Sequence, residues 1–267
     1  MEVGRMKILK LKIYQPEVHY RVPYSYQRRF TYPIPPFSTV KGFLCNILGI
    51  KSNTDKDFVK MMSGLSIGIY GSYESFTKEY IWFRNLSKEW HNKRFGISTN
   101  RIIDGEPQHP GGQMPVKIDT LLNVNLMIYV YHPEYSFLAK IKRELENPKD
   151  RSSPLHLGRA EDWVVIKDVG FLENLNTDEI WRLDFFSWVP SADYFDRNFT
   201  ISDYCKFFDS IQGIRMMVPV YYDIVEGQRI FTRYVEAKLF EGGTFNPIRC
   251  YVDNEENIPL ILTRLGG

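Results

Sequence analysis

Pro33, Pro35 and Pro36 stand within one short stretch, immediately ahead of a helical repeat. Each proline fixes its own φ and pushes the residue before it out of the helical region, so residues 31–37 form a stiff, extended arm. Beyond it, Val40, Phe43, Leu44, Ile47 and Leu48 recur at i, i+3, i+4, i+7 and i+8. That spacing predicts a helix over 38–48 with one apolar face. Ser38 or Thr39 is placed to cap the first amides, and Gly49 stands where a left-handed C-cap belongs. A rigid arm thus delivers the chain to a helix start with free N–H groups, an end that suits phosphate. Taken alone, the segment serves equally as a core helix after a turn, and that is its simpler use.

The rest of the chain alternates strands and helices around this unit. Met6–Tyr14 places Leu9, Leu11 and Ile13 on one face and Lys10, Lys12 and Tyr14 on the other, a half-buried strand with a basic second face. Residues 15–37 make a long connection carrying Arg21, Arg28 and Arg29 among five tyrosines and phenylalanines before Phe37. Connections of that length in compact domains are usually functional, and interleaved cations and rings fit phosphate contacts with base stacking. A short helix is expected over Asp55–Met62, a strand over 65–69, a turn near Gly71 and a β-prone run at Tyr80–Phe83. Residues 84–117 are polar, basic and broken by Pro107, Pro110, Gly111, Gly112 and Pro115. They read as an inserted hairpin or flap. Val116–Tyr131 is a long strand. A helix follows Pro133 through Asn147, then the loop 149–159, then a strand at Trp163–Val169. Positions 6–169 therefore read β-α-β-(insertion)-β-α-β, the ferredoxin-like order. After 170 the pattern changes to short strands and turns, a smaller β-rich region packed on the first.

Charge is divided unevenly. Residues 1–120 hold 18 Lys and Arg against 10 Asp and Glu, and the remainder holds 16 against 22. A basic N-terminal half is a polyanion footprint, while the acidic remainder faces protein or solvent. Cys45, Cys205 and Cys250 are widely spaced and make no C-x-x-C, which points to a reducing, cytoplasmic setting without a disulfide framework or zinc site. No apolar run reaches the length of a membrane span. Walker A, G-x-G-x-x-G, G-x-S-x-G and H-E-x-x-H motifs are absent, so nothing announces a metal or a cofactor. His91 and His109 are not in ligand spacing. Glu161 and Asp162 are adjacent and make a poor acid/base pair on a strand; Glu161 is better placed to neutralise Arg159.

Three features together carry a resemblance: Tyr32-Pro33-Ile34-Pro35-Pro36-Phe37-Ser38-Thr39-x-x-Gly42 running into Leu48-Gly49; Leu157-Gly158-Arg159-Ala160-Glu161-Asp162-Trp163; and the insertion between the second and third strands. The chain resembles the Cas-five family of CRISPR-associated proteins, RAMP-superfamily subunits of type I Cascade, in its type I-B branch. The resemblance spans most of the chain and is weakest after Val169. It implies an α+β fold: a ferredoxin-like (RRM/RAMP) domain over 1–169 with a β-hairpin thumb at 84–117, and a β-rich region over 170–267. It implies a non-catalytic RNA-binding subunit that holds and caps the crRNA 5′ handle in antiviral defence. Its partners are the Cascade backbone and large subunits, with target DNA met indirectly through the complex. Carried onto this chain, Arg84, Arg94, Arg101 and Lys117 of the thumb face RNA phosphates. Arg21, Arg28, Arg29, Ser38, Thr39 and Lys41 line the handle, and Arg159 joins them. One branch of the family cuts repeat RNA with a Tyr-Lys-His set; here the returning strand reads Val116-Lys117-Ile118, without a Lys-His pair. A metal-independent endoribonuclease processing the crRNA precursor is the alternative, with no catalytic residue assigned.

Overall fold

The computed structural model describes residues 6–25, 27–85, 102–104, 106–107, 112–172, 175–225 and 228–266. It begins with β1 (Ile8–Val18), followed by β2 (Arg28–Arg29), α1 (Phe37–Leu48) and α2 (Lys56–Met62). Next come β3 (Ser66–Ser72), β4 (Ser75–Asn85), β5 (Ile102–Ile103), β6 (Glu106–Pro107), β7 (Gly112–Tyr131) and α3 (Tyr135–Glu146). The last part holds β8 (Val165–Phe171), β9 (Asn176–Leu183), β10 (Phe186–Pro190), α4 (Tyr204–Ser210), β11 (Ile214–Val225), β12 (Gln228–Phe240), β13 (Gly243–Asp253), β14 (Ile258–Pro259) and β15 (Thr263–Arg264). The result is a mixed α/β fold, mostly antiparallel sheet, with four helices among the described residues.

The main sheet runs β11-β12-β10-β3-β7-β1-β8. β7 is its spine. One edge pairs with β1 from Ile8↔Tyr131 to Val18↔Leu121. The other edge pairs with β3 from Ser66↔Tyr131 to Ser72↔Asn125, then with β4 from Ser75↔Leu122 to Asn85↔Gly112. Two residues lie between the two pairings on each strand, so β4 continues β3 in the same register. The turn expected near Gly71 is therefore not a reversal: the chain runs on along β7 and out of the sheet as a two-stranded arm.

Each face of the sheet carries its own core. Leu9, Leu11 and Ile13 pack with Phe37, Val40, Phe43, Leu44 and Ile47 of α1 and with Phe137, Leu138 and Ile141 of α3. Fully burying side chains of this size is worth about 1.5–3 kcal/mol each. On the other face, Ile8, Tyr70, Met127 and Tyr129 meet Ile180 and Leu183 of β9, Ile248, Cys250 and Val252 of β13, and Phe207 and Phe208 of α4. The sheet β14-β13-β9 thus covers the side of β1 that sequence alternation marks as basic. Lys10 is buried there, 2.7 Å from Asp253, with Glu255 and Glu256 completing the pair network. The basic face of β1 is therefore neutralised internally by the acidic C-terminal segment. The β-rich segment after 170 also lengthens the main sheet, because β10 pairs with both β3 and β12.

α1 starts one residue earlier than the repeat predicts. Its N-cap is Pro36, and no side chain caps the first amides, which corrects the expectation for Ser38 and Thr39. Gly49 ends it at φ 71°, with its N–H donating to the Asn46 carbonyl. A Cβ there would lie 2.3 Å from the Asp150 carbonyl oxygen, so both conformation and space call for glycine. α2 is capped by the Asp55 side chain, which accepts from the Asp57 N–H.

Candidate nucleic-acid interface

After β1 the chain leaves the sheet and returns as a narrow ribbon. Tyr32 N–H donates to the Tyr20 carbonyl and Val22 N–H to the Phe30 carbonyl, with Arg21 bridging Thr31. The returning limb is β2, which lies parallel to β7 with Arg28 beside Lys117 and Arg29 beside Ile118. β4 flanks the same stretch of β7 from the other side, Lys78 opposite Asp119 and Tyr80 opposite Lys117. Neighbours across a sheet share a face, so Arg28, Lys117 and Lys78 converge at the root of the arm. Arg28 lies 3.8 Å from Asp119. Burial, and to a lesser degree the neighbouring Arg21, lowers the pKa of the Arg29 guanidinium.

Beneath this cluster sits a polar clasp. Asp162 is buried; it accepts from the His19 N–H at 3.1 Å and from the Arg159 N–H at 2.6 Å. Gln15 Nε2 donates to the carbonyls of Leu157 and Asp162, and Tyr20 Oη donates to Gln15 Oε1. Gly158, at φ 126°, lets the loop close, since a Cβ there would meet Asp162 Oδ2 at 2.5 Å. The segment 157–163 therefore fastens the end of β1 rather than forming a strand; the following strand starts at Val165, not Trp163. The His19 ring is buried with Nδ1 2.8 Å from the Asp119 carbonyl, to which it donates as the neutral tautomer. Burial lowers its pKa, helped by Arg159 and Arg21 and opposed by the Asp119 hydrogen bond. Among the described residues its Nε2 has no hydrogen-bond partner, and neither do Asp119 Oδ1 and Thr120 Oγ1.

The other sequence-derived positions fall in different places. Arg159 is held 2.8 Å from Asp162, 3.4 Å from Glu79, 3.5 Å from Glu161 and 3.8 Å from Glu17. Glu161 neutralises it as expected, but four carboxylates leave its charge committed to the clasp. Ser38 and Lys41 are buried, and Thr39 is half-buried. The helix start lies under Trp188, whose indole N–H donates to the Pro35 carbonyl at 2.9 Å and whose ring packs against Tyr32 and Phe37. Lys41 instead enters an aromatic cage, its Nζ 4.3 Å from the Tyr221 ring, 5.4 Å from Tyr222 and 5.5 Å from Phe58. Burial pushes its pKa down to about 8, against a weaker pull from Cys45 and Asp223. The α1 residues are thus buried or half-buried, whereas Arg21 and Arg28 of the ribbon are exposed. Arg84 lies in β4 opposite Gln113. Arg94 and Arg101, with His91 and His109, lie outside the described residues. Sequence reasoning missed Lys78 and His19. Lys78 is one of alternating residues on a strand edge, and His19 shows its role only through the Asp162 contact.

Among the described residues, no three His, Cys, Asp or Glu side chains are grouped to hold a metal ion, and no helix is long and apolar enough to cross a membrane. A family model for the CRISPR-associated protein (Cas_Cas5) matches residues 8–181. No curated protein sequence matches the chain. The fold is similar to a chain of a "CRISPR RNA-guided surveillance complex", with TM-score 0.50 and 15% identity over 90% of this chain and 91% of that one. It is also similar to a "Cas protein" crystal structure, with TM-score 0.43 and 14% identity over 89% and 94%. A third similarity is to a Type III-B Cmr-beta complex bound to cognate target RNA and AMPPnP, with TM-score 0.46 and 13% identity over 90% and 86%.

Proposed function

The chain belongs to the CRISPR-associated Cas5 family, and from that membership we propose that it is a non-catalytic RNA-binding subunit of a type I CRISPR effector complex, of the I-B branch. In this reading it holds and caps the crRNA 5′ handle, contacts the backbone and large subunits, and meets target DNA only through the complex. The observation that carries it is the docking of β2 on β7, which sets Arg28 beside Lys117 at the root of the β4–β7 arm, with Arg21 on the other limb of the same ribbon. Clustered cations gain from an anionic ligand, and a phosphate chain supplies one.

The same reading makes β1, α1, β3, β7, α3 and β8 the ferredoxin-like RAMP unit expected over 1–169, with β8 running on to Phe171. The strand order β3-β7-β1-β8, with α1 and α3 on one face, supports it. The β4–β7 arm is then the stem of the thumb at 84–117, with Arg84, Arg94 and Arg101 as further phosphate ligands, and 170–267 is the accessory β-rich region. Work in the cytoplasm follows from this role.

The test is to incubate the purified chain with labelled repeat RNA, with and without EDTA. Retention of intact RNA at low salt is expected. Site-specific cleavage in EDTA replaces this reading with the metal-independent endoribonuclease, and absence of binding even with partner subunits removes both.

A further inference from the structure

The face of the arm that carries Lys117 also carries rings. Alternate positions along β4 put Phe76, Lys78, Tyr80 and Trp82 on that face, and Phe30 follows Arg28 two residues on. Phe30, Phe76, Tyr80 and Trp82 are 45%, 53%, 58% and 54% exposed. Between them lie cations. Lys78 Nζ is 5.6 Å from the Phe76 ring, Arg28 Cζ stands 4.6 Å over Phe30, and Lys117 is exposed directly opposite Tyr80. Tyr80 and Trp82 meet edge to face at 6.0 Å, so their flat faces are not used up on each other. The reverse side of the same strands is buried through Val116, Ile118 and Thr120, which anchors the platform to the core.

Three large exposed rings on one face of β4, with exposed Phe30 just past β2, call for a cover. The centre of a protein–protein interface is depleted of charge, and Lys is disfavoured there. Here Arg28, Lys78 and Lys117 are interleaved with the rings, as on surfaces that hold single-stranded nucleic acid by stacking plus phosphate contacts. We propose that this face is a stacking platform for unpaired bases of single-stranded RNA. Tyr80 and Trp82 stack the bases, and Arg28, Lys78 and Lys117 track the phosphates. The proposal rests on the RNA-binding reading above and adds where the bases lie.

The experiment measures anisotropy of the full chain with three labelled probes: single-stranded repeat RNA, an abasic backbone of equal length, and an RNA duplex. Tyr80→Leu and Trp82→Leu keep an apolar strand residue and remove the π face. Each is expected to weaken single-stranded RNA binding by roughly 5- to 100-fold, the range for one stacked base. Binding of the abasic probe and the salt slope stay as in wild type, and Trp82→Phe restores most of the loss. Wild-type RNA affinity in both Leu variants overturns the platform while leaving the RNA-binding reading standing. Equal affinity of wild type for RNA and the abasic probe does the same. Unchanged RNA binding with lost co-purification of a partner subunit overturns it in favour of a protein contact. A wild-type chain that binds no probe removes both readings.

Discussion

The indole N–H of Trp188 donates to the Pro35 carbonyl across 2.9 Å, joining residues 153 positions apart. Trp188 belongs to β10, the strand that attaches the last third of the chain to the main sheet. The proline arm is therefore held straight by a residue far downstream as well as by its own prolines. Trp188→Phe keeps most of the packing but leaves a buried carbonyl unpaired. It is expected to cost about 1–3 kcal/mol, read as a shift in the urea unfolding midpoint at constant m.

The Lys10–Asp253 pair closes the opposite core, and Tyr129 Oη donates to the same carboxylate at 2.8 Å. Asp253→Ala leaves a buried ammonium without its nearest counter-charge and should destabilise the fold by about 3–5 kcal/mol. Tyr129→Phe should cost less, about 1 kcal/mol. Replacing both partners, as Lys10→Met with Asp253→Leu, should recover most of the Asp253→Ala loss. A double-mutant cycle in urea measures the coupling.

Acid should loosen the same region. Lys10 and Lys12 hold Glu255 down to about 2, from 4.5 in an unperturbed carboxylate. A lowered carboxylate pKa contributes stability above the unfolded value, lost as pH falls through the folded one. The Glu255 contribution is therefore complete above about pH 4.5 and fades between there and about pH 2. Glu255→Gln should flatten that part of the acid-unfolding curve relative to wild type.

Lys41 gives the same sign of pH dependence in an alkaline window. With a folded pKa of about 8 against 10.5 unfolded, the folded state binds fewer protons between those values. Stability should then rise with pH across that window, by about 3 kcal/mol in total from this group. The checking measurement is the difference in unfolding free energy between wild type and Lys41→Met at pH 7.5, 9 and 10.5. A pH-independent difference removes the assignment of a titrating buried lysine.

RNA binding should separate cations that meet phosphate from cations that hold the protein together. Arg28→Ala and Lys117→Ala should each reduce the slope of log K against log salt by about 0.7, the increment for one phosphate contact on a single strand. The Arg94→Ala, Arg101→Ala double variant should remove about twice that, and an unchanged slope there defeats the thumb assignment. Arg159→Ala should leave the slope alone and lower thermal stability, because Asp162 then stays buried without its cation.

The long strands and the helices of residues 6–169 were legible because they rest on local rules, whereas β2 was read as part of a connection. The α1 repeat, the alternation of Leu9, Leu11 and Ile13, and the left-handed position of Gly49 are all set within a few residues of chain. The candidate site was legible only in part. The basic ribbon was visible as Arg21, Arg28 and Arg29, but its partner strand was not, since parallel pairing of β2 with β7 joins segments nearly ninety residues apart. Lys10, Lys41 and Arg159 show the limit most clearly: in sequence each is simply a cation.

By itself, then, the sequence determined the order of elements, the faces of β1 and α1, the stiff approach to α1, and membership of the family. Tertiary structure decided which charges remain available. Covering β1 with β13 puts Asp253 against Lys10, the approach of β11 and α2 cages Lys41, and the 157–163 loop surrounds Arg159 with carboxylates. Burial and counter-charges are properties of neighbours distant in the chain, and a residue's own type and spacing do not specify them.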